Sequence, residues 1–349
     1  MTEPRAVVIG YGFAGRSFHS YLIGITPGLR LQGIASRNPE TREKIVAERG
    51  CQAYESFEQV LEDPEVDLVV LATPNALHTD QAVQALEAGK NVVTDKVMAL
   101  TLADCDRMIA AAEKSGKLLT VFQNRRWDGD YLTVRQLMAE GKLGEVRSVE
   151  VAGQRFGAWR GIDGWRGRKA MGGGKLYDLG AHLVDQLCLI FPQPIERVYA
   201  KLNHDLPETD TESQALVVIE FADGGTGIVD TSSLAAIRKP RWYVCGTGGT
   251  FLKHGLDPQE AAMIAGDIDA AREDPALYGC LHDGKTEAAV PTLAGRWRSY
   301  YENIRDVLVQ GAEPAVKLSE VRRAIAVIDA AFRSAETKEV VSLEEPAGN

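Results

Sequence analysis

The chain is poor in the residues that would suggest a disulfide scaffold or a metal centre. Its five cysteines, Cys51, Cys105, Cys188, Cys245 and Cys280, are odd in number, far apart, and form no Cys-x-x-Cys pair. That pattern argues against a disulfide framework and against a zinc site, so no metal is expected. Long apolar runs are also missing. No stretch approaches the ~20 residues a membrane-spanning helix requires, so no membrane partner is expected. Positive charge is in deficit: 39 Lys and Arg face 49 Asp and Glu, a net charge of -10. A nucleic-acid surface needs clustered cations to displace counterions from phosphates, and such a partner is not expected either. The first residues, Met1-Thr2-Glu3-Pro4-Arg5, carry no basic segment followed by an apolar core, and with the unpaired cysteines they suggest a cytoplasmic protein.

What is present is a globular composition, 45% hydrophobic and 25% charged over 349 residues. At roughly 100–200 residues per domain that length predicts two domains. Up to about residue 123, short β-rich runs (Ala6 to Ile9, Leu31 to Ala35, Leu68 to Ala72, Asn91 to Thr94, Leu118 to Phe122) alternate with helical periods such as Gln81 to Ala88 and Leu102 to Lys114. Strand and helix in regular alternation predict a parallel sheet covered on both faces.

Beyond residue 124 the rhythm changes. Helical periods at about Tyr131 to Glu140 and Asp178 to Phe191 accompany alternating segments at Arg197 to Leu202, Ala215 to Phe221, Thr226 to Thr231 and Trp242 to Cys245. Ala222-Asp223-Gly224-Gly225 reads as a hairpin turn between two of them. The expected architecture is α/β plus α+β: residues 1–124 as a domain with a doubly covered parallel sheet, and residues 125–349 as a domain with an open, mainly antiparallel sheet. Two final helices, about Arg296 to Gln310 and Ser319 to Ser334 with Ser319 as N-cap, are expected near the domain junction.

The first strand runs into Gly10-Tyr11-Gly12-Phe13-Ala14-Gly15 and then a helical period. In that context Gly10 permits the tight turn, Gly12 admits a pyrophosphate to the backbone, and Gly15 lets the helix pack close to the strand. The helix N-terminus, with Phe13 and Ala14, faces the anion. About 20 residues on, where an acidic residue would read the ribose 2′-hydroxyl of NAD, stand Ser36, Arg37 and Asn38. A hydroxyl and a guanidinium suit a 2′-phosphate, which favours NADP and leaves NAD as the alternative.

Further residues fall at the carboxyl ends of later strands, where doubly wound sheets bind ligands. Thr73, Pro74, Asn75 and His78 form one such loop, expected to meet the nicotinamide ribose. Lys96 follows the next strand, placed to bond a substrate oxygen. In the second domain Tyr177, Asp178 and His182 lead into a helix, and the four-residue spacing of Asp178 and His182 puts both on one face. A histidine moves protons near neutral pH, and an aspartate one turn away orients it or the substrate. Asn124 and Arg126 at the domain switch, and Trp159, Trp165 and Arg166 before the glycine run, offer aromatic walls and guanidinium forks for the cofactor or substrate.

On these residues the chain resembles the Gfo/Idh/MocA oxidoreductase family. The resemblance covers nearly the whole length and rests on Gly10 to Gly15, on Ala72-Thr73-Pro74-Asn75 with His78, on Asp95-Lys96, and on Gly172 to His182 with Asp185 beyond. Asn124 to Asp128, Tyr177 to Leu179 and Gly255 to Glu260 are similar to a narrower branch that includes NADP-dependent scyllo-inositol dehydrogenase. The family's catalytic lysine falls on Lys96 and its aspartate and histidine pair on Asp178 and His182. The chain departs from the family at Val97, where proline usually follows the lysine, and at Asp95, where glutamate usually precedes it. The resemblance implies that residues 1–124 are a Rossmann dinucleotide-binding domain, and it implies reversible oxidation of a secondary alcohol on a cyclic polyol or sugar by a homodimer or homotetramer. Reduction of a sugar or anhydrosugar, aldose oxidation, and a non-catalytic cofactor sensor are its alternatives.

Overall fold

The computed structural model describes residues 3–157 and 161–343. The chain divides into two compact units, residues 1–124 with 297–322, and residues 125–296 with 323–349.

In the first unit six strands, β1 (Arg5–Ile9), β2 (Arg30–Ala35), β3 (Gln52–Tyr54), β4 (Leu68–Leu71), β5 (Asn91–Thr94) and β6 (Leu119–Val121), form one sheet in the order β3-β2-β1-β4-β5-β6. Every pairing is parallel. All four residues of β4 are buried, so both faces of the sheet are covered, as a near-continuous apolar strand requires. The strand order reverses between β1 and β4, and the crevice beyond their carboxyl ends is where the Gly10, Thr73 and Lys96 loops lie. The short β3 carries too few residues to read as a strand from sequence. The helix Leu102–Ser115 begins where the Thr101 hydroxyl accepts the Asp104 amide at 3.0 Å and ends at Gly116, whose φ of 66° closes the left-handed cap.

The expected assignment of everything after residue 124 to the second domain needs correction. Residues 297–322 belong to the first unit because one face of the helix Arg298–Gln310, with Trp297 just before it, is aromatic and finds its partners there. Trp297 stacks on Phe18 with centroids 5.5 Å apart, and Tyr300 meets Phe122 edge-on at 5.0 Å. Trp297, Tyr300, Tyr301 and Ile304 are all buried. The last helix, Leu318–Thr337, starts one residue before Ser319, which therefore lies inside its first turn instead of capping it.

The second unit is built on nine strands, β7 (Val146–Gln154), β8 (Ile195–Asn203), β9 (Gln214–Phe221), β10 (Thr226–Ser232), β11 (Trp242–Gly246), β12 (Gly249–Lys253), β13 (Gly279–His282), β14 (Glu287–Val290) and β15 (Val341–Ser342). Their order is β14-β13-β12-β11-β7-β10-β9-β8-β15, antiparallel except for the β7–β10 pair. Strict alternation of buried and half-exposed residues along β9 shows one face packed and one open. The expected hairpin joins β9 to β10: the Phe221 carbonyl accepts the Gly224 amide at 2.9 Å. The helix expected from Asp178 begins earlier, as a π-wound turn at Leu176–Gly180 that passes into the α-helix Ala181–Ile190. This helix comes so near the sheet that a Cβ on Gly153 of β7 would meet Leu179 at 2.1 Å.

Truncating Trp297 to alanine removes the largest buried side chain that this returning segment lends the first unit. A loss of about 3–5 kcal/mol in unfolding free energy is expected, read from the midpoint of urea denaturation.

Candidate active site

The glycine turn is built from two close approaches and one opening. Gly10 sits at φ 100°, and a Cβ there would meet the Ala72 carbonyl oxygen at 2.8 Å. A Cβ on Gly15 would fall 2.1 Å from the carbonyl oxygen of Gly10, so the helix can leave the strand at this angle only without one. Around the Cβ position of Gly12 nothing lies within 4 Å. That space, in front of the π-wound turn Ala14–His19, fits a pyrophosphate brought against the backbone amides at a helix start.

At the end of β2 the Ser36 amide is bound to the Tyr54 carbonyl, and its hydroxyl accepts the Asn38 amide at 3.3 Å. Arg42 ties the backbone carbonyls of Ser36 and Arg37 at 3.0 and 3.2 Å. The Arg37 side chain is exposed, beside Asn38 and Pro39 at the start of the next helix. The loop is anchored through its backbone while Arg37 keeps its fork at the surface.

After β4, the Thr73 hydroxyl donates to Gln81 at 2.7 Å, Pro74 is half-buried and Asn75 is buried. His78 lies fully beneath this loop, its Nε2 2.9 Å from the Thr73 carbonyl and its Nδ1 2.8 Å from the Val97 carbonyl. Its ring therefore bridges two loops at the crevice instead of lining it, a correction to its expected place against the cofactor. Burial pushes its pKa down, against the pull of those carbonyls and of Asp95.

Lys96 is half-buried after β5, its amide donating to the Asp95 carboxylate at 2.8 Å. The peptide bond from Lys96 to Val97 is cis. Asp95 also faces His19, whose Nε2 stands 3.7 Å away while its Nδ1 contacts the Tyr301 hydroxyl at 2.6 Å. Burial alone would raise the Asp95 pKa, but the His19 imidazole, with Lys96 and His78 beyond it, holds it down at about 2. Neither His19 nor Tyr301 carries a motif that would have pointed to this contact. Tyr301 lies in the returned segment, 282 residues from His19.

In the second unit, Asp178 and His182 lie on one helical stretch, Asp178 half-exposed and His182 buried. Arg166 stacks over Trp165 with its guanidinium carbon 4.4 Å from the ring centroid, and its Nε stands 3.7 Å from the Asp178 carboxylate. Trp165, Arg166 and Asp178 are thus brought together. The Tyr177 ring, however, is buried against Phe332 at 4.8 Å, and burial raises its pKa, which keeps the phenol protonated. It belongs to the packing under the helix, a correction to its expected contact with substrate. Arg126, also expected at the substrate, is buried with its fork on Asp185, at 2.8 and 2.7 Å. This bidentate pair fixes the carboxylate that stands three residues beyond His182. Asn124 is buried at the end of the first unit. Trp159 lies outside the described residues. Among the described residues no group of His, Cys, Asp and Glu is arranged to hold a metal ion, and no helix is long and apolar enough to cross a membrane.

Comparison with known proteins gives this geometry a family. Residues 4–123 match the family described as "Oxidoreductase family, NAD-binding Rossmann fold", and residues 131–252 match "GFO/IDH/MocA C-terminal domain". The chain belongs to the Gfo/Idh/MocA oxidoreductase family. It is 34% identical to the uncharacterized oxidoreductase YdgJ of Escherichia coli, over 97% of this chain and 98% of that protein. It is 30% identical to IolW of Bacillus subtilis, a scyllo-inositol 2-dehydrogenase (NADP(+)), over 97% of this chain and 95% of the relative. Among solved structures, the oxidoreductase yvaA of Bacillus subtilis superposes with a TM-score of 0.90 at 28% identity, covering 98% of this chain and 99% of the other. The chain is therefore an NAD(P)-binding oxidoreductase with a Rossmann domain and a mainly antiparallel second domain.

Asp95 carries a consequence for stability. Its folded pKa, about 2, lies below the ordinary 3.8, so the unfolded chain takes up this proton first as pH falls, and the stabilisation present above that ordinary value is lost on the way down to about 2. Replacing Asp95 with Asn is expected to cost about 2 kcal/mol at neutral pH and to flatten stability between about pH 4 and pH 2, read by urea unfolding at several pH values.

Proposed function

We propose that this oxidoreductase catalyses reversible NADP-dependent oxidation of a secondary alcohol on a cyclic polyol or sugar. The observation that carries this reading is the presence, in one chain, of an open glycine turn, Lys96 at the end of β5, and Asp178 and His182 on one helical stretch. The full-length likeness to IolW supports the polyol class and NADP.

The amides from Gly12 to Ala14 would hold the pyrophosphate, Ser36 and Arg37 the ribose 2′-phosphate, and Thr73, Pro74 and Asn75 the nicotinamide ribose. When bound, the cofactor supplies the hydride chemistry, which no side chain can. The work left to the protein is to place one hydroxyl and move its proton. His182, held inside the second unit, takes the hydroxyl proton in oxidation and returns it in reduction. Lys96 donates to the reacting oxygen and stabilises the negative charge that develops there, its backbone tethered by the Asp95 carboxylate. Asp178 accepts a neighbouring hydroxyl. The Arg166 guanidinium stands beside that carboxylate, its Nε 3.7 Å away.

Replacing Lys96 or His182 with alanine is expected to lower kcat about a hundredfold or more on a polyol substrate while cofactor affinity, followed by nicotinamide fluorescence, stays within about twofold. Wild-type turnover of both variants would remove the assignment. Absence of turnover by the unmodified enzyme across a panel of inositols, aldoses and dicarbonyl sugars, with cofactor still bound, would favour the sensor reading.

Arg37 gives a separate check on the cofactor. Arg37→Ala is expected to weaken NADP about tenfold and leave NAD unchanged in fluorescence titrations, since a charged hydrogen bond to phosphate contributes about 1.5–3 kcal/mol. An equal effect on both cofactors would show that the side chain does not read the 2′-phosphate.

A further inference from the structure

The helical stretch that carries Asp178 and His182 lacks a side-chain cap of its own. Lys175, at the position preceding Leu176, offers none, and the residues before it are Gly172-Gly173-Gly174. A helix start buried without acceptors leaves amides unsatisfied, so something else must take them. The acceptor comes from the sheet. Glu212, on the loop between β8 and β9, places Oε1 2.7 Å from the Leu176 amide. It is 3% exposed.

Two features show that the turn is shaped around this carboxylate. Gly174 has φ 107°, and a Cβ there would lie 2.3 Å and 2.4 Å from the two carboxylate oxygens of Glu212. Glycine at 174 is thus required by its backbone angle and by the space that Glu212 fills. The loop that delivers Glu212 is itself pinned on both sides. The Thr211 amide donates to the Thr209 hydroxyl at 3.1 Å, and the Ser213 hydroxyl contacts the Asn203 carbonyl at 3.0 Å and Asp205 at 2.7 Å. The carboxylate arrives on a rigid arm.

We propose that Glu212 is a positioning residue for the substrate site, its carboxylate serving as a cap supplied from the sheet that holds the Lys175–His182 stretch, and with it Asp178 and His182, in working geometry. This rests on the reading of those two residues as the proton-handling pair. Glu212 touches neither substrate nor cofactor and acts through the helix it seats.

The cap is also titratable. Burial pushes the Glu212 pKa up to about 7, against the amides of Leu176, of Glu212 itself and of Lys175 and the charge of Lys169, all of which favour the carboxylate. The ionisable groups facing it are Lys169, Lys175 and Tyr177. Lys175 is buried in turn, its ammonium pushed down to about 8 by desolvation while Asp178 and Glu212 oppose that fall and Arg155 adds to it. Because burial raises this pKa above the ordinary 4.5 that an opened, solvated Glu212 would have, the closed turn binds the proton more tightly than the open one, and the turn is expected to tighten as pH falls through about 7.

The test is amide hydrogen exchange of the peptide spanning residues 172–182 in the full-length protein, corrected for intrinsic rates, at about pH 6 and about pH 8. In the wild type, protection is expected to rise about tenfold from the higher to the lower pH, as the buried carboxyl takes up its proton in the closed turn before it would in the open one. Glu212→Gln keeps an oxygen for the Leu176 amide and removes the charge, so it should retain partial protection that no longer varies with pH. Glu212→Ala should lose protection about fivefold or more at both values and lower kcat with little change in cofactor affinity. Protection in Glu212→Ala within about twofold of wild type, or a pH dependence in Glu212→Gln equal to that of wild type, overturns the proposal. If the alanine variant does not fold, the glutamine comparison decides alone. Because exchange is read without substrate, failure of the polyol assignment would show as absent turnover in the unmodified enzyme and leave this measurement intact.

Discussion

The closeness of one carbonyl to one α-carbon governs the first unit. A Cβ on Gly15 would stand 2.1 Å from the Gly10 carbonyl, inside any possible contact, so the departure of the first helix from β1 exists only with hydrogen at that position. From this follow the helix axis, the direction of its first amides and the open space before Gly12. The same helical stretch delivers Phe18 and His19 to the aromatic cluster of Phe122, Trp297 and Tyr300. The returning segment 297–322 is therefore an extension of the constraint that builds the cofactor turn, and the Asp95 carboxylate beside Lys96 is held through it, by way of Tyr301 and His19.

The second unit solves a related problem in the opposite way. The helix after β1 and the helix that carries Asp178 and His182 both start in a π-wound turn preceded by glycines, at Ala14–His19 and at Leu176–Gly180. In the first, the space against the turn is left open and suits an external anion. In the second, the chain fills it with its own Glu212. Wide turns of this kind cluster at functional sites because they spread the side chains of one helical face and reorient those that follow. Here the widened turn carries Asp178, and the regular helix resumes at Ala181, one residue before His182.

Much of this was legible in the sequence because it depends on local periodicity. Up to residue 123, five of the six strands, the helices over Gln81 to Glu87 and Leu102 to Lys114, and the glycine turn follow from spacing alone. What was not legible depends on long-range partners. Tyr301 reaches His19 across 282 residues, and Glu212 reaches Leu176 across 36. Neither sits in a motif, and no local pattern distinguishes Glu212 from a surface glutamate ahead of a strand. Arg126 was read as site-lining for its guanidinium fork at the domain switch, and His78 for its place in the loop after β4. Their actual partners are Asp185 for one and the Thr73 and Val97 carbonyls for the other, so each braces the backbone or a carboxylate within its own unit. The parallel β7–β10 pair was likewise hidden, since alternation within a strand does not reveal the direction of its neighbour.

The departure at Val97 now has a physical reading. Proline after the lysine would restrict the backbone of both residues, and valine gives that up. The structure supplies restraint from outside the chain's own torsions. The Val97 side chain is 1% exposed, its carbonyl is engaged by His78, and the preceding Lys96 amide is bound to Asp95. His78 is fully buried and also contacts Thr73, so moving Val97 would disturb the loop after β4 as well as the loop after β5. An intrinsic stiffness is thereby replaced by a packed and hydrogen-bonded one. Such restraint is cooperative where that of proline is local: it depends on His78 and Asp95 remaining in place, and ties the position of Lys96 to the integrity of the whole crevice floor.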